Sequence, residues 1–291
     1  MSKINDLYEK IIKNMGVENI DIPLTAVKIY RKDEHPPSTI DKYIPANLTL
    51  TSCQAAKQAS LGDNVCLDRN NIGCIAAAIT FGLVDPNQKE PMAGSRVYTD
   101  IMKGQSGKKD DFNAPSPKDF TDGLVYACKD AGKPDYALFG SDDSGRYKDI
   151  ETAKKAIKDM LKLEPADTNA VFFYNKDLDT DIEPDIIILS VRPVELIRLI
   201  QAYQYLNGER VTSSMGGVRV VNSDLIVRPY IEQKINISSY CIGARLIGQY
   251  DANRLGMGMP YKDFKTIAQG MVESKTGFPF HLYPGADESA L

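Results

Sequence analysis

The chain has 291 residues, 43% hydrophobic and 25% charged, which is enough apolar side chain to bury a core without covalent staples. Its formal net charge of −4 offers no general attraction to phosphate backbones, which excludes nucleic acid as an expected partner. An odd count of five cysteines argues against a closed disulfide framework, and no apolar run approaches the ~20 residues that span a bilayer.

Residues 1–6 contain no apolar stretch of the secretory kind, so the expectation is a cytoplasmic protein with reduced thiols and no membrane partner. Ile4, Leu7, Tyr8, Ile11 and Ile12 recur at helical spacing and predict an amphipathic helix over 4–15. Residues 23–30 alternate in the strand sense. Residues 32–45, with Pro36-Pro37 and several charges, read as a loop. Ser52 is placed to cap a short helix through Ser60, which Gly62-Asp63-Asn64 would end. The alanine-rich stretch Ile72 to Leu83 predicts a buried helix. Residues 84–116 hold Pro86, Pro91, Gly94, Gly104, Gly107 and Pro115, and read as a loop-rich, solvated insertion with a short helix near 96–103.

Helical periodicity returns over 117–131 and 149–163, and compact apolar strands follow at 169–174 and 185–191. Pro193 then sits near the first position of a helix over 194–206. Strands are expected at 236–247 and 254–259, and a last helix over 261–274. Strands and helices mixed without strict βαβ alternation predict an α+β fold, a mixed α/β sheet with flanking helices, in one compact domain over 1–291.

With only two histidines and no tryptophan, the cysteines are the residues best suited to carry chemistry. Cysteine thiolates are soft, anionic donors for iron or zinc. Cys53 falls at a predicted helix start, where backbone N–H groups and Lys57 one turn on would lower its pKa. Cys74 follows Gly73 in similar surroundings, and Cys241 precedes Gly243 and Arg245. Three such thiols would leave one iron of a 4Fe-4S cluster open to substrate, and Cys66 would close the site as a fourth ligand. Against this, free cysteine is also a common small core residue, and the spacings match no compact Cys-x-x-Cys signature. Cys128, inside a predicted helix, reads as core.

Other candidates compete with ordinary structural roles. Ser213-Ser214-Met215-Gly216-Gly217 is either an anion cradle or a turn. Leu255-Gly256-Met257-Gly258-Met259-Pro260 describes either a backbone that a ligand or another segment approaches closely or a strand whose glycines mark bulges. Glu183, Asp185 and Glu195 are placed as caps at element ends. His35 and His281 are weak metal candidates.

Several stretches, in order, carry a resemblance: Pro23-Leu24-Thr25-Ala26-Val27-Lys28, Ser52-Cys53-Gln54-Ala55-Ala56-Lys57, Cys74 before an alanine-rich helix ending in Phe81-Gly82-Leu83, Glu183-Pro184-Asp185, Cys241-Ile242-Gly243-Ala244-Arg245 and Gly258-Met259-Pro260-Tyr261. Over roughly residues 20 to 275 the chain resembles the archaeal and bacterial proteins grouped as domain of unknown function 169. The resemblance implies a protein of anaerobe-rich lineages and puts Cys53, Cys74 and Cys241 at motif positions, whereas Cys66 falls at none.

The leading expectation is therefore an iron–sulfur or other metal protein of anaerobic metabolism, with Cys53, Cys74, Cys241 and Cys66 as its ligand set. It would act on a small anionic metabolite by Lewis-acid or redox chemistry, with Cys53, Lys57 and Arg245 as reacting or orienting groups and Gln54, Gly73 and Gly243 lining the cofactor. Two alternatives stay open: a metal-free thiol enzyme built on Cys53, and a non-enzymatic ligand- or cofactor-binding sensor. Assembly as a homo-oligomer also stays open.

Overall fold

Six antiparallel strands form one sheet in the order β2-β3-β1-β4-β6-β5, and helices cover both of its faces. The structure is a computed structural model that describes residues 2–16, 20–45, 48–88, 118 and 147–275. In chain order the elements are α1 (Lys3–Lys13), β1 (Leu24–Arg31), a 3-10 turn (Ser38–Tyr43), α2 (Ser52–Ser60), β2 (Val65–Asp68), α3 (Ile75–Thr80), α4 (Ile150–Lys158), β3 (Thr168–Tyr174) and β4 (Ile186–Val191). There follow α5 (Pro193–Asn207), a π-helix (Val220–Val227), α6 (Arg228–Glu232), β5 (Asn236–Ser239), α7 (Ile242–Leu246), β6 (Leu255–Pro260) and α8 (Tyr261–Ser274). The fold is α+β, as the mixture of periods predicts.

The period-2 alternation of each strand sorts its side chains into two cores. Val27, Ile29, Val65, Leu67, Val171, Phe173, Ile186 and Ile188 point to one face, which α2, α3 and the π-helix cover. Ala26, Cys66, Ala170, Phe172, Ile187, Leu189, Met257 and Met259 point to the other, against α1, α5 and α8. Thr25 fastens α2 to the sheet on the first face by donating its hydroxyl to the Ala56 carbonyl at 2.7 Å.

Local chemistry sets the element ends and corrects several expectations. The cap of α2 is Thr51 rather than Ser52: its hydroxyl accepts from the Gln54 N–H at 3.2 Å, and Gln54 Oε1 accepts from the Thr51 N–H at 3.0 Å. Such a box contributes about 1 kcal/mol. The helix expected over 72–83 starts only at Ile75, because Leu50 and Ile72 form a parallel bridge and Gly73 donates its N–H to the Leu50 carbonyl at 2.7 Å. The strand expected over 236–247 ends at Ser239, where its ladder partner among the described residues, β6, begins at Leu255. An edge strand without a partner turns away, and the chain enters α7. The loop at 32–45 contains the 3-10 turn. The expected helices at 96–103 and 117–131, most of the 84–116 insertion, Cys128 and His281 lie outside the described residues.

Three further elements, β2, the π-helix and α6, were not expected. β2 is only four residues long, and the π-helix is wholly buried. Among the described residues no helix is long and apolar enough to cross a membrane.

Candidate functional site

Three of the candidate thiols converge on the face of the sheet that carries the π-helix. Cys53 is the second residue of α2, Cys74 caps α3 and Cys241 caps α7. All three belong to, or pack against, the same hydrophobic core. Cys74 is buried, and its Sγ accepts from the Ala77 N–H at 3.4 Å. Cys53 and Cys241 keep partial exposure, so the group of thiols borders solvent at these two residues.

The electrostatics of this thiol group reverse one expectation. The Cys53 thiol is held well above its usual range, first by burial and then by the nearby Cys241 and Cys74 thiols. The helix-start N–H and the Ser52 hydroxyl pull the other way and lose. Desolvation disfavours the thiolate more than one turn of backbone dipoles favours it. Burial also raises Cys74, against the opposing pull of the Ala77 N–H and the Arg219 guanidinium.

Around the thiols stand Lys57 and Ser52, together with three groups not expected there, Tyr240, Tyr250 and Asn222. Tyr240 and Tyr250 pack with tilted rings 4.1 Å between centroids, and Tyr250 lies close to Cys53 and Cys241. Lys57 reaches over the Tyr250 ring at 5.6 Å. Such a contact contributes roughly 0.5–1 kcal/mol in partly exposed settings. Ser52, fully buried next to Cys53, donates its hydroxyl to Asn222 Oδ1 on the π-helix. Tyr240 was findable, since it immediately precedes Cys241. Tyr250 and Asn222 carry no local signal.

The remaining candidates fall into place by register. Cys66 alternates to the opposite face of β2, among Tyr30 and Phe172, where burial and Asp68 push its thiol up to about 12. The sheet itself separates it from the other three thiols, so the structure does not bring it to them as a fourth ligand. Arg245 is exposed on the last turn of α7. The Gln54 side chain is used by the cap of α2, and the Gly73 N–H by Leu50. A side chain at Gly243 would meet open space, so nothing of the described chain crowds it. His35 is exposed.

The loop 213–217 is fastened rather than offered as an anion cradle. The Gly216 N–H donates to the Asp224 carboxylate at 3.2 Å, the Ser214 N–H to Asn236 Oδ1 at 2.8 Å, and Ser213 Oγ accepts from the Ile237 N–H at 3.0 Å. Glu195 is fully buried between Arg192 (2.7 Å) and Arg254 (3.2 Å) and also caps α5, which gives it a structural role. Asp185 likewise accepts from the Ile29 N–H at 2.7 Å and from Lys28 Nζ at 3.0 Å. Among the described residues, no group of three cysteine, histidine or carboxylate side chains is arranged to hold a metal ion as it stands.

Residues 19–270 match the family model described as DUF169, uncharacterised ArCR. One relative, an uncharacterized protein of Methanocaldococcus jannaschii, is 22% identical over 271 residues, covering 92% of this chain and 94% of the relative. No solved structure matches the chain.

Proposed function

The chain belongs to the domain of unknown function 169 family, and we propose that it holds an iron–sulfur cluster, or another thiophilic metal, on Cys53, Cys74 and Cys241. The observation that carries this reading is that three thiols far apart in sequence meet at one hydrophobic core on one sheet face. Buried thiolates that repel one another are costly alone and favourable around a soft cation.

Three ligands leave one coordination position free, and a bound cluster would supply Lewis-acid or redox chemistry there. The protein's own groups do the rest. Tyr240 and Tyr250 pack beside the thiols, Lys57 places a cation near them, and Asn222 holds Ser52 against the first thiol. Such a lining fits a small anionic metabolite in a reducing, cytoplasmic setting.

Anaerobic purification and reconstitution with iron and sulfide tests the reading. The expected result is a broad absorbance near about 400 nm, lost in Cys53→Ser, Cys74→Ser and Cys241→Ser and retained in Cys66→Ser. Metal content that is absent, or indifferent to all three substitutions, sinks it. A metal-free thiol enzyme is disfavoured by the raised Cys53 thiol. A ligand-binding sensor would instead keep ligand affinity in Cys53→Ser and Cys241→Ser.

A further inference from the structure

The helix α5 turns both of its charged residues, Glu195 and Arg198, into the molecule. Glu195 is clamped by Arg192 and Arg254. Arg198 Nη2 donates to Ser274 Oγ at 3.0 Å and to the Lys275 carbonyl at 3.3 Å, at the end of α8. Leu199 and Ala202 complete this inner face, fully buried in the second core. These contacts fasten α5 to the molecule from one side.

The opposite side is built for something other than water. Pro193, Ile197, Ile200, Gln204 and Asn207 recur at alternating steps of four and three residues, which aligns them along the outer face. None of them is charged. Ile197 on this line is 51% exposed, and Tyr205 at its flank is 49% exposed. Other long helices among the described residues meet solvent with charge: α1 through Glu9 and Lys10, α4 through Lys154 and Lys158, α8 through Lys262 and Lys265. Charged and polar residues are what a solvated helix face normally carries. A charge-free face with exposed aliphatic and aromatic side chains has the composition of the centre of a protein interface.

The same composition selects the occupant. Unlike partners choose one another and set their register largely through opposite charges, and this face offers none. A copy of the face, by contrast, meets no like charge on it. The amides of Gln201 and Gln204 each hold donors and an acceptor, so each is complementary to its own kind. Steps of four and three residues make the seam along which one helix packs its side chains between those of an identical helix. Antiparallel pairing about a twofold axis sets the positive end of each helix dipole beside the negative end of the other. Glu209 and Arg210, just beyond α5, are exposed and opposite in sign, so that end adds no net repulsion.

We infer that the outer face of α5 is the contact through which two copies of this chain form a twofold dimer, with their α5 helices antiparallel. The inference is independent of the metal, because α5 covers the sheet face opposite the three thiols.

Sedimentation velocity of the full chain, from about 1 to about 100 µM, tests it over the range of a modest protein contact. The expected result is a monomer that passes to twice the chain mass as concentration rises. Ile197→Glu sets a carboxylate into the contact and should weaken the dimer by about tenfold or more. Gln204→Glu should weaken it as well. It decides the matter if Ile197→Glu does not fold, because it keeps the shape of the side chain it replaces. Lys154→Met, on the charged face of α4, should leave the equilibrium unchanged. A monomer throughout the range would leave the face to another protein or to the chain itself, and overturns the inference. A dimer as strong in both α5 variants as in the unaltered chain overturns it too, by placing the contact elsewhere.

Discussion

At Cys53 two opposing effects meet, and burial decides between them. The thiol sits where a helix start would normally activate it, yet desolvation and two neighbouring thiols keep its proton on. In metal-free, reduced protein, iodoacetamide should therefore label Cys53 more slowly at neutral pH than it labels the unfolded chain. The rate should climb only as pH passes the ordinary thiol range of about 8.5. Rapid, selective labelling at neutral pH, read by mass spectrometry, would favour the thiol enzyme instead. Asp224 follows the same logic with opposite consequences for stability. Burial raises its carboxyl against the pull of Ser238 Oγ (2.7 Å) and the Gly216 N–H. An acid whose folded pKa exceeds its unfolded one binds more protons when folded. Its contribution is therefore favourable at low pH and is lost as pH rises through the folded value. Asp224→Asn removes that slope, so the midpoint difference between variant and unaltered chain should move in the variant's favour from about pH 4 to about pH 8. A difference independent of pH would show that Asp224 does not titrate in this way.

The element that packs over the thiol face of the sheet is the π-helix, and β6 is built to receive it. Met257 and Met259 fill the opposite core, while Gly256 and Gly258 present bare backbone to Leu225. A β-carbon at Gly258 would overlap the Leu225 carbonyl oxygen, which cannot swing aside as a side chain can. Gly258→Ala should therefore cost about 3 kcal/mol in chemical denaturation and disturb Asn222 and Ser52 beside Cys53. Gly243→Ala faces open space inside α7 and should be neutral or gain about 0.5 kcal/mol. Loss of metal from Gly243→Ala would show that the cofactor itself needs that bare position. The close approach at β6 was legible from alternating glycine and methionine, because a strand's period of two exposes both faces in the sequence. The π-helix was not, because Val220-Val221 and Leu225-Ile226-Val227 show no amphipathic period when every face is buried. β2 escaped notice for a different reason: its four residues, Val65–Asp68, lie between Gly62-Asp63-Asn64 and Arg69-Asn70, too short for a pattern. Motif context did join Cys53, Cys74 and Cys241, whereas the position of Cys66 depended on the register of that unseen strand.

Across the whole molecule the sheet acts as a partition. The thiols, the π-helix and the paired tyrosines occupy one core. α1, α5 and α8 close the other, where bare Gly270 lets α8 press onto the Ala202 backbone of α5. Ligand binding stabilises most strongly the units it touches, and hydrogen exchange resolves such units separately. If the cofactor binds the three thiols, loading it under anaerobic conditions should slow amide exchange in residues 52–60, 74–80, 218–227 and 240–250. Exchange in α1 and α8 should change little, because they meet the thiol core only across the ladders of the sheet. Protection centred instead on β2 around Cys66 would place the metal on the wrong face and reject the three-thiol ligand set. Protection spread evenly over both cores would mean that loading drives global folding, with the partition carrying no functional boundary.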